Sequence, residues 1–430
     1  MSHRYPVALA AALVATSFAA VVACNSQQQD AAEHKIARSQ QPRQTQPSVS
    51  DGDFAKQVSA SNGLALEILK RVTSADEGGF VGPHSISSAL AMLQAGARSE
   101  TRNEINKTLR FVLDDDALHA SFNRLDLAIA KDAADSDIEL SSANALWAQL
   151  DLPLETSYLD RLATSYDAGV HLLDFNKQPE KSRETINAWI SQQTHERIPQ
   201  LFEKGAINQS TLAVLTNAVY FKAKWATQFS RYGTQPAPFS TPKGSTTVQM
   251  MTGTFNTRYG KGADYEAITL PYQGGRFSML VLVPETGKLS ALRQRLDENV
   301  LAGIVDGLKD ERARLSLPSL EVRSSYPLHE TLQAMGLLAP FTAGADFSGL
   351  TSRNVAVAQI VHKTFLKVDE TGSEAAAATG ITVDASSAPP EETVSLTVDR
   401  PFLLFIRHDA TGAILFAGQI TDPSKYGPRS

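Results

Sequence analysis

One cysteine, Cys24, among 430 residues leaves no internal disulfide for the chain to be built around. Nine histidines are present, yet none falls in an H-E-x-x-H pattern, and no Cys/His set has zinc spacing, so neither a metal nor another cofactor is expected. The G-x-S-x-G elbow, the G-x-G-x-x-G fingerprint and the P-loop are absent too, which removes the sequence signatures of an α/β-hydrolase, a dinucleotide enzyme and a phosphate-cradling enzyme. Lys and Arg never form a run and the net charge is −6, which argues against nucleic acid and weakens any case for heparin-like polyanions. Three local features could suggest chemistry, and each has a plainer reading. Asp114, Asp115 and Asp116 read as a surface charge run rather than a catalytic dyad. "HER" at 195–197 reads as a polar helix turn, and "YGKGADYE" around Lys261 as a turn. The chain is not expected to be an enzyme.

What is present begins with an address. "MSHRY" is a short basic start and "PVALAAALVATSFAAVVA" an apolar run ending in small residues, the pattern of an export signal over residues 1–23. Cys24 follows "VVA" directly, an arrangement that resembles a bacterial lipobox, in which the cysteine becomes the lipid-modified first residue of the mature protein. An ordinary signal peptide or an uncleaved anchor is the other reading, although the apolar run is short of the roughly 20 residues a spanning helix needs. Asn25, in place of an aspartate, points to the outer membrane or cell surface; plain secretion is the alternative. Residues 25–52, "NSQQQDAAEHKIARSQQPRQTQPSVSDG", are rich in Gln, Ser and Pro and read as a flexible tether.

Length alone suggests two or more domains, but with 42% hydrophobic residues and no linker or repeat before Pro423, a single domain over 53–426 fits better. Its first half reads as helical. Asn62 is placed to cap "GLALEILKRV" and Ser85 to cap "ISSALAMLQAGA". "KSRETINAWISQQTHERI" sets Ile186, Trp189, Ile190 and Ile198 on one helical face before Pro199. From Leu212 the signals turn to strand, and near-continuous runs such as "LAVLTNAVYF" suit strands covered on both faces. The fold class is therefore α+β. Against this background "DETGSEAAAATGITVDASSAPPEE", from Asp369 to Glu392, stands out. It is a long small-residue stretch between strand-like segments, and such loops are usually functional or disordered.

That stretch opens with "DETGSEAAAAT", which resembles the proximal hinge of a serpin reactive-centre loop. "VGPHSISSALAMLQAGARSETRNEI", "NALW", "INAWISQQTHERI", "LTNAVYFKAKW", "AITLPYQGGRFSMLVLVP", "LQAMGL" with "ADFSGLT", and "DRPFLLFIRHDATGAILFAGQITDP" resemble serpin segments in serpin order, from about Asn62 to Pro423. The resemblance implies one domain of three β-sheets with eight or nine helices and an exposed reactive-centre loop. It also implies irreversible inhibition of a serine protease: the protease cleaves the loop, is held as an acyl-enzyme, and is trapped when the loop enters the central sheet. By the same resemblance, the hinge falls on Glu370, Gly372, Ser373, Glu374, Ala375, Ala376, Ala377, Ala378 and Thr379. The scissile bond falls at Ser386–Ser387, with Val383 and Asp384 as alternative registers. The family's shutter, a buried polar cluster that controls sheet opening, falls on Ser85, Asn217 and His362, with Gly82 where a second serine is usual. Trp225 and Phe221 fit the point of loop entry, and each is equally a plain core aromatic.

Small residues suit a segment that must pass a packed surface, and Ser386 after Ala385 suits an elastase-like or subtilisin-like protease. The expected partners are that protease, held covalently, and a membrane through lipidated Cys24, with the protein itself a monomer. The rival reading is a non-inhibitory serpin, a binding or structural lipoprotein whose loop is only cleaved.

Overall fold

The computed structural model describes residues 34–373 and 393–426. Cys24, the hinge residues Glu374, Ala375, Ala376, Ala377, Ala378 and Thr379, and the Ser386–Ser387 bond lie outside them.

Among the described residues there are nine α-helices: α1 Asp51–Val72, α2 Pro83–Gly96, α3 Ser99–Thr108, α4 Asp115–Asp135, α5 Thr156–Tyr166, α6 Pro179–Gln193, α7 Leu289–Arg295, α8 Glu298–Asp306 and α9 Leu328–Ala334. The strands of the first sheet are β1 Lys35–Ala37, β3 Glu139–Gln149, β4 Val170–Leu173, β5 Ala213–Lys224, β11 Leu320–Pro327, β12 Gln359–Asp369 and β13 Gly372–Ser373, in the order β1-β4-β3-β5-β13-β12-β11. The second network holds β2 Gly79–Val81, β6 Gln235–Thr241, β7 Gly244–Lys261, β8 Tyr265–Pro271, β9 Phe277–Pro284, β10 Lys309–Pro318, β14 Val394–Thr397, β15 Phe402–His408 and β16 Ala413–Ile420. The two smaller sheets of the expected three are joined here because β7 is 18 residues long. It pairs with β6 and β10 along its length and with β8 at its end.

Helices and strands are mixed as the α+β reading requires, and β5 shows why its sequence is so apolar. Every residue from Ala213 to Phe221 is buried. One face of β5 presents Leu215, Val219 and Phe221 to the two large cores, while the other turns Val214, Ala218 and Tyr220 toward Ile186 and Ile190 of α6. A strand covered on both sides has no polar face to alternate with.

Several local expectations are corrected. Helix α1 begins not at Asn62 but eleven residues earlier. Ser50 caps it, its hydroxyl accepting the Asp53 N–H at 3.1 Å and donating to the Asp53 carboxylate at 2.8 Å. Asn62 lies inside the helix and holds the β15–β16 turn, donating to the Gly412 carbonyl and accepting from the Ile414 N–H, both at 2.9 Å. Ser85 is not a cap either: α2 starts at Pro83, and the Ser85 side chain turns inward. Helix α6 stops at Gln193, before Ile198, because His195 and Glu196 take left-handed backbone angles of φ 49° and 62°. The acidic run is divided among separate tasks: Asp114 caps α4, Asp115 pairs with Arg102 and Asp116 with Arg161.

The tether reading of 25–52 is corrected over its described part. Residues 35–37 form an edge strand on β4, and Arg43 donates to Asn123 at 2.9 Å and to Asp126 at 2.5 Å, both on α4. Composition misleads here because this segment is held by polar side chains and backbone, not by apolar burial.

Candidate functional site

The site lies where β12 ends. Lys224 and Ala223 of β5 face Asp369 and Val368 of β12 across a gap, and β13 fills it, pairing antiparallel with both neighbours. Gly372 sits between Lys224 and Asp369, and Ser373 between Ala223 and Val368. Further along, no strand intervenes: β5 and β12 pair directly and in parallel from Val214–Gln359 to Tyr220–Phe365. The central sheet is therefore parted at one end only, with Gly372 and Ser373 of the small-residue stretch already in the opening.

Local chemistry explains the seat. A Cβ on Gly372 would stand 2.0 Å from the Ala223 carbonyl oxygen and 2.7 Å from the Lys224 Cα, so the close approach to β5 requires glycine. Ser373 is fully buried, and its hydroxyl meets the Tyr272 hydroxyl at 2.8 Å. Burial holds the Tyr272 hydroxyl well above the ordinary phenol range, so it stays protonated. Trp225 stacks on Tyr272 with centroids 4.7 Å apart, and its indole N–H donates to the Asp369 carbonyl at 2.9 Å. The turn before the seat is fixed as well. Phe229 N–H donates to the Glu370 carbonyl at 2.9 Å and Thr234 donates to the Glu370 carboxylate at 2.6 Å. Thr371 N–H donates to the Asp369 carboxylate at 2.9 Å. Of the candidate entry aromatics, Trp225 touches this turn directly, while Phe221 packs edge-on against Tyr272 behind it.

A second polar group lies on the inner face of the same sheet. His362 and Asn217 are opposite each other across the β5–β12 seam. The His362 imidazole accepts the Gly82 N–H at Nε2, 3.0 Å away, and donates through Nδ1 to the Asn217 side-chain oxygen. Asn217 donates to Ser85 Oγ at 2.7 Å and to Asn144 Oδ1 at 2.6 Å, and Ser142 donates to Ser85 Oγ at 2.7 Å. Burial lowers the His362 pKa to about 3, so the ring is neutral and this tautomer is the one that satisfies both contacts. The structure thus brings Ser85, Asn217 and His362 together and adds two residues that sequence reasoning missed, Ser142 and Asn144 of β3. Gly82 contributes its backbone N–H where a side chain was expected. Among the described residues, no group of three or more His, Cys, Asp or Glu side chains could hold a metal ion.

The chain matches the family model Serpin (serine protease inhibitor) over residues 59–423. The chain belongs to the serpin family. It is 34% identical over 382 residues to the leukocyte elastase inhibitor of Bos taurus, covering 86% of this chain and 100% of that protein. It is also 34% identical over 375 residues to a serpin-like protein of Thermococcus kodakarensis, covering 87% of each chain. Among solved structures it is similar to uncleaved ovalbumin, with TM-score 0.77 and 31% identity over 86% of this chain and 100% of ovalbumin.

Proposed function

We propose that this serpin is a suicide-substrate inhibitor of elastase-like or subtilisin-like serine proteases, trapping the acyl-enzyme by drawing its cleaved loop into the central sheet. The observation that carries the reading is β13: Gly372 and Ser373 already form the first rungs of the strand that would be inserted. An inserted loop that continued this register would bring Glu374 opposite Lys222 and Lys367, and Thr379 opposite Asn217 and His362. The stretch from Ser373 to Ser386 spans about 45 Å at roughly 3.3 Å per residue. Ser386 is the residue the protease acylates on, through its carbonyl, and Ser387 begins the released side. Drawing the attached protease that distance would distort the oxyanion hole and triad geometry that deacylation needs. Similarity to the bovine leukocyte elastase inhibitor supports an elastase-type target.

In this reading the polar group around Ser85, Asn217 and His362 is the lock on the closed seam, opened when Thr379 displaces the His362–Asn217 bond. The mature chain begins at a lipidated Cys24 in the outer membrane or at the cell surface; the sequence around Cys24 is what supports this. Incubation with pancreatic-type elastase tests the mechanism on a denaturing gel. The expected result is a band at the summed mass that survives boiling in detergent. Cleaved serpin beside fully active elastase, with no gain in heat resistance, would favour a binding protein whose loop is only cut.

A further inference from the structure

Residues 34–50 precede the part of the chain that the serpin family model covers, yet they are bound along one side of the domain. β1 adds an outer strand to β4, pairing Lys35–Ala37 with Leu172–Val170. Beyond it, Arg38 pairs with Asp167 and Ser39 donates to Asp160, while Gln44 N–H donates to the Thr164 carbonyl at 2.9 Å. Arg43 then reaches Asn123 and Asp126 of α4. One continuous segment therefore ties the free edge of the seven-stranded sheet to the α5 region and to α4. Those helices are held in turn, since α4 packs on α1 and α2 as well as on β3, and α5 on α2.

The remaining end of the segment is a histidine pair. His34 Nε2 and His171 Nδ1 are 2.5 Å apart, with the rings stacked at 4.7 Å. Trp147 of β3 and Trp189 of α6 close around His171 at 4.4 and 5.1 Å. Neither tryptophan can carry charge, and of the charged groups among the described residues His34 is the one whose field reaches His171. Two nitrogens at hydrogen-bond distance hold one proton between them, and a second proton turns attraction into repulsion.

We propose that residues 34–50 are a strap that brakes opening of the central sheet, and that acid releases it at the His34–His171 pair. The proposal rests on loop insertion as the working mechanism. Adding a strand between β5 and β12 separates them by a further strand spacing, about 4.8 Å. β3, β4 and β1 would have to move by that distance relative to β12 and β11. The hydrogen bonds and ion pairs of the strap do not survive a shift of that size while α4 and α5 stay in place. Burial, then the His34 charge, lowers the His171 pKa to about 4. The docked strap therefore favours neutral His171, and docking weakens as pH falls below the ordinary histidine value near 6.5. At pH 5.5 the loss in the docking equilibrium is at most about tenfold, the limit for a His171 fully exposed to water once the strap leaves.

Hydrogen exchange of the full chain at pH 7.5 and 5.5, corrected for intrinsic rates, reads docking directly in peptides covering residues 34–48 and 168–174. The expected result is a loss of protection at pH 5.5, up to about tenfold, in the wild type and none in His171→Phe, which keeps an aromatic ring without a titrating nitrogen. Equal pH dependence in both proteins, or none in the wild type, overturns the acid release. The brake is read separately, by nicking the loop with subtilisin and following the gain of heat resistance. Arg43→Glu at pH 7.5, and the wild type at pH 5.5, should gain it several-fold faster than the wild type at pH 7.5. Equal rates overturn the brake. A nicked chain that gains no heat resistance under any condition overturns loop insertion and the brake with it, while the exchange result still decides acid release.

Discussion

The hydroxyl pair between Tyr272 and Ser373 offers a test of whether the hinge is seated in the sheet at rest. Both side chains are fully buried and 2.8 Å apart. Tyr272→Phe keeps the ring stacked on Trp225 but strands the Ser373 hydroxyl; Ser373→Ala strands the tyrosine hydroxyl instead. An unsatisfied buried hydroxyl costs about 1–3 kcal/mol, which lowers occupancy of the seat roughly 5- to 150-fold. Removing both hydroxyls leaves no orphan, so the double variant should recover most of the loss. Hydrogen exchange of a peptide spanning residues 369–373 measures the seat, and the melting temperature serves as a control. Two ladder residues contribute little to global stability, so the melting temperature should hardly move. A double variant whose loss equals the sum of the two singles would refute the argument, because the hydroxyls would then not be partners. Protection absent in the wild type would refute the seat itself.

Gly372→Val should empty the seat outright, since its Cβ would sit 2.0 Å from the Ala223 carbonyl oxygen, and exchange of the same peptide should approach the unprotected rate. Ser373→Arg should leave folding and loop cleavage intact but abolish the detergent-resistant protease band, because a guanidinium cannot take a fully buried place in the sheet without a large desolvation cost. A band at the wild-type ratio would contradict insertion. His362 should make stability fall with acid. Its folded pKa is lowered to about 3 by burial, so between about pH 6.5 and 3 the unfolded chain binds the proton and the folded chain does not. At pH 5 this amounts to about 2 kcal/mol. Urea unfolding at pH 7.5 and 5.0 should show a smaller pH difference in His362→Gln than in the wild type; an unchanged difference would mean that His362 is not held neutral.

What could be read from the sequence depended on the kind of interaction that holds each part. The apolar run "LAVLTNAVYF" announced β5 because burial on both faces leaves an unbroken hydrophobic signature. Ser85, Asn217 and His362 were placed only through family resemblance, since nothing in their own neighbourhoods says that a helix end and two strands meet. Ser142 and Asn144 went unnoticed because small polar residues in "ELSSANALW" look like the open face of an ordinary strand. The start of α1 was legible in principle: Ser50 and Asp53 form a capping pattern ahead of Phe54 and Val58, which are both buried. The Gln- and Pro-rich composition just before it argued the other way. Residues 35–44 are docked by an edge-strand ladder and by polar side chains whose partners lie more than seventy positions away, and no local pattern encodes that.

The direction of the seam between β5 and β12 has a thermodynamic consequence. Seven residue pairs, from Val214–Gln359 to Tyr220–Phe365, are joined in parallel register, the less stable of the two ladder geometries per residue. β13 runs antiparallel to both neighbours, and any extension of it must do the same. Each further residue that enters therefore exchanges one slanted parallel rung for two straight antiparallel ones. If the loop inserts as proposed, the sheet of the uncleaved protein rests short of its lowest free energy. The driving force for trapping would then be stored in the middle of the sheet as unmade pairing, and cutting the loop at a distance would be enough to release it.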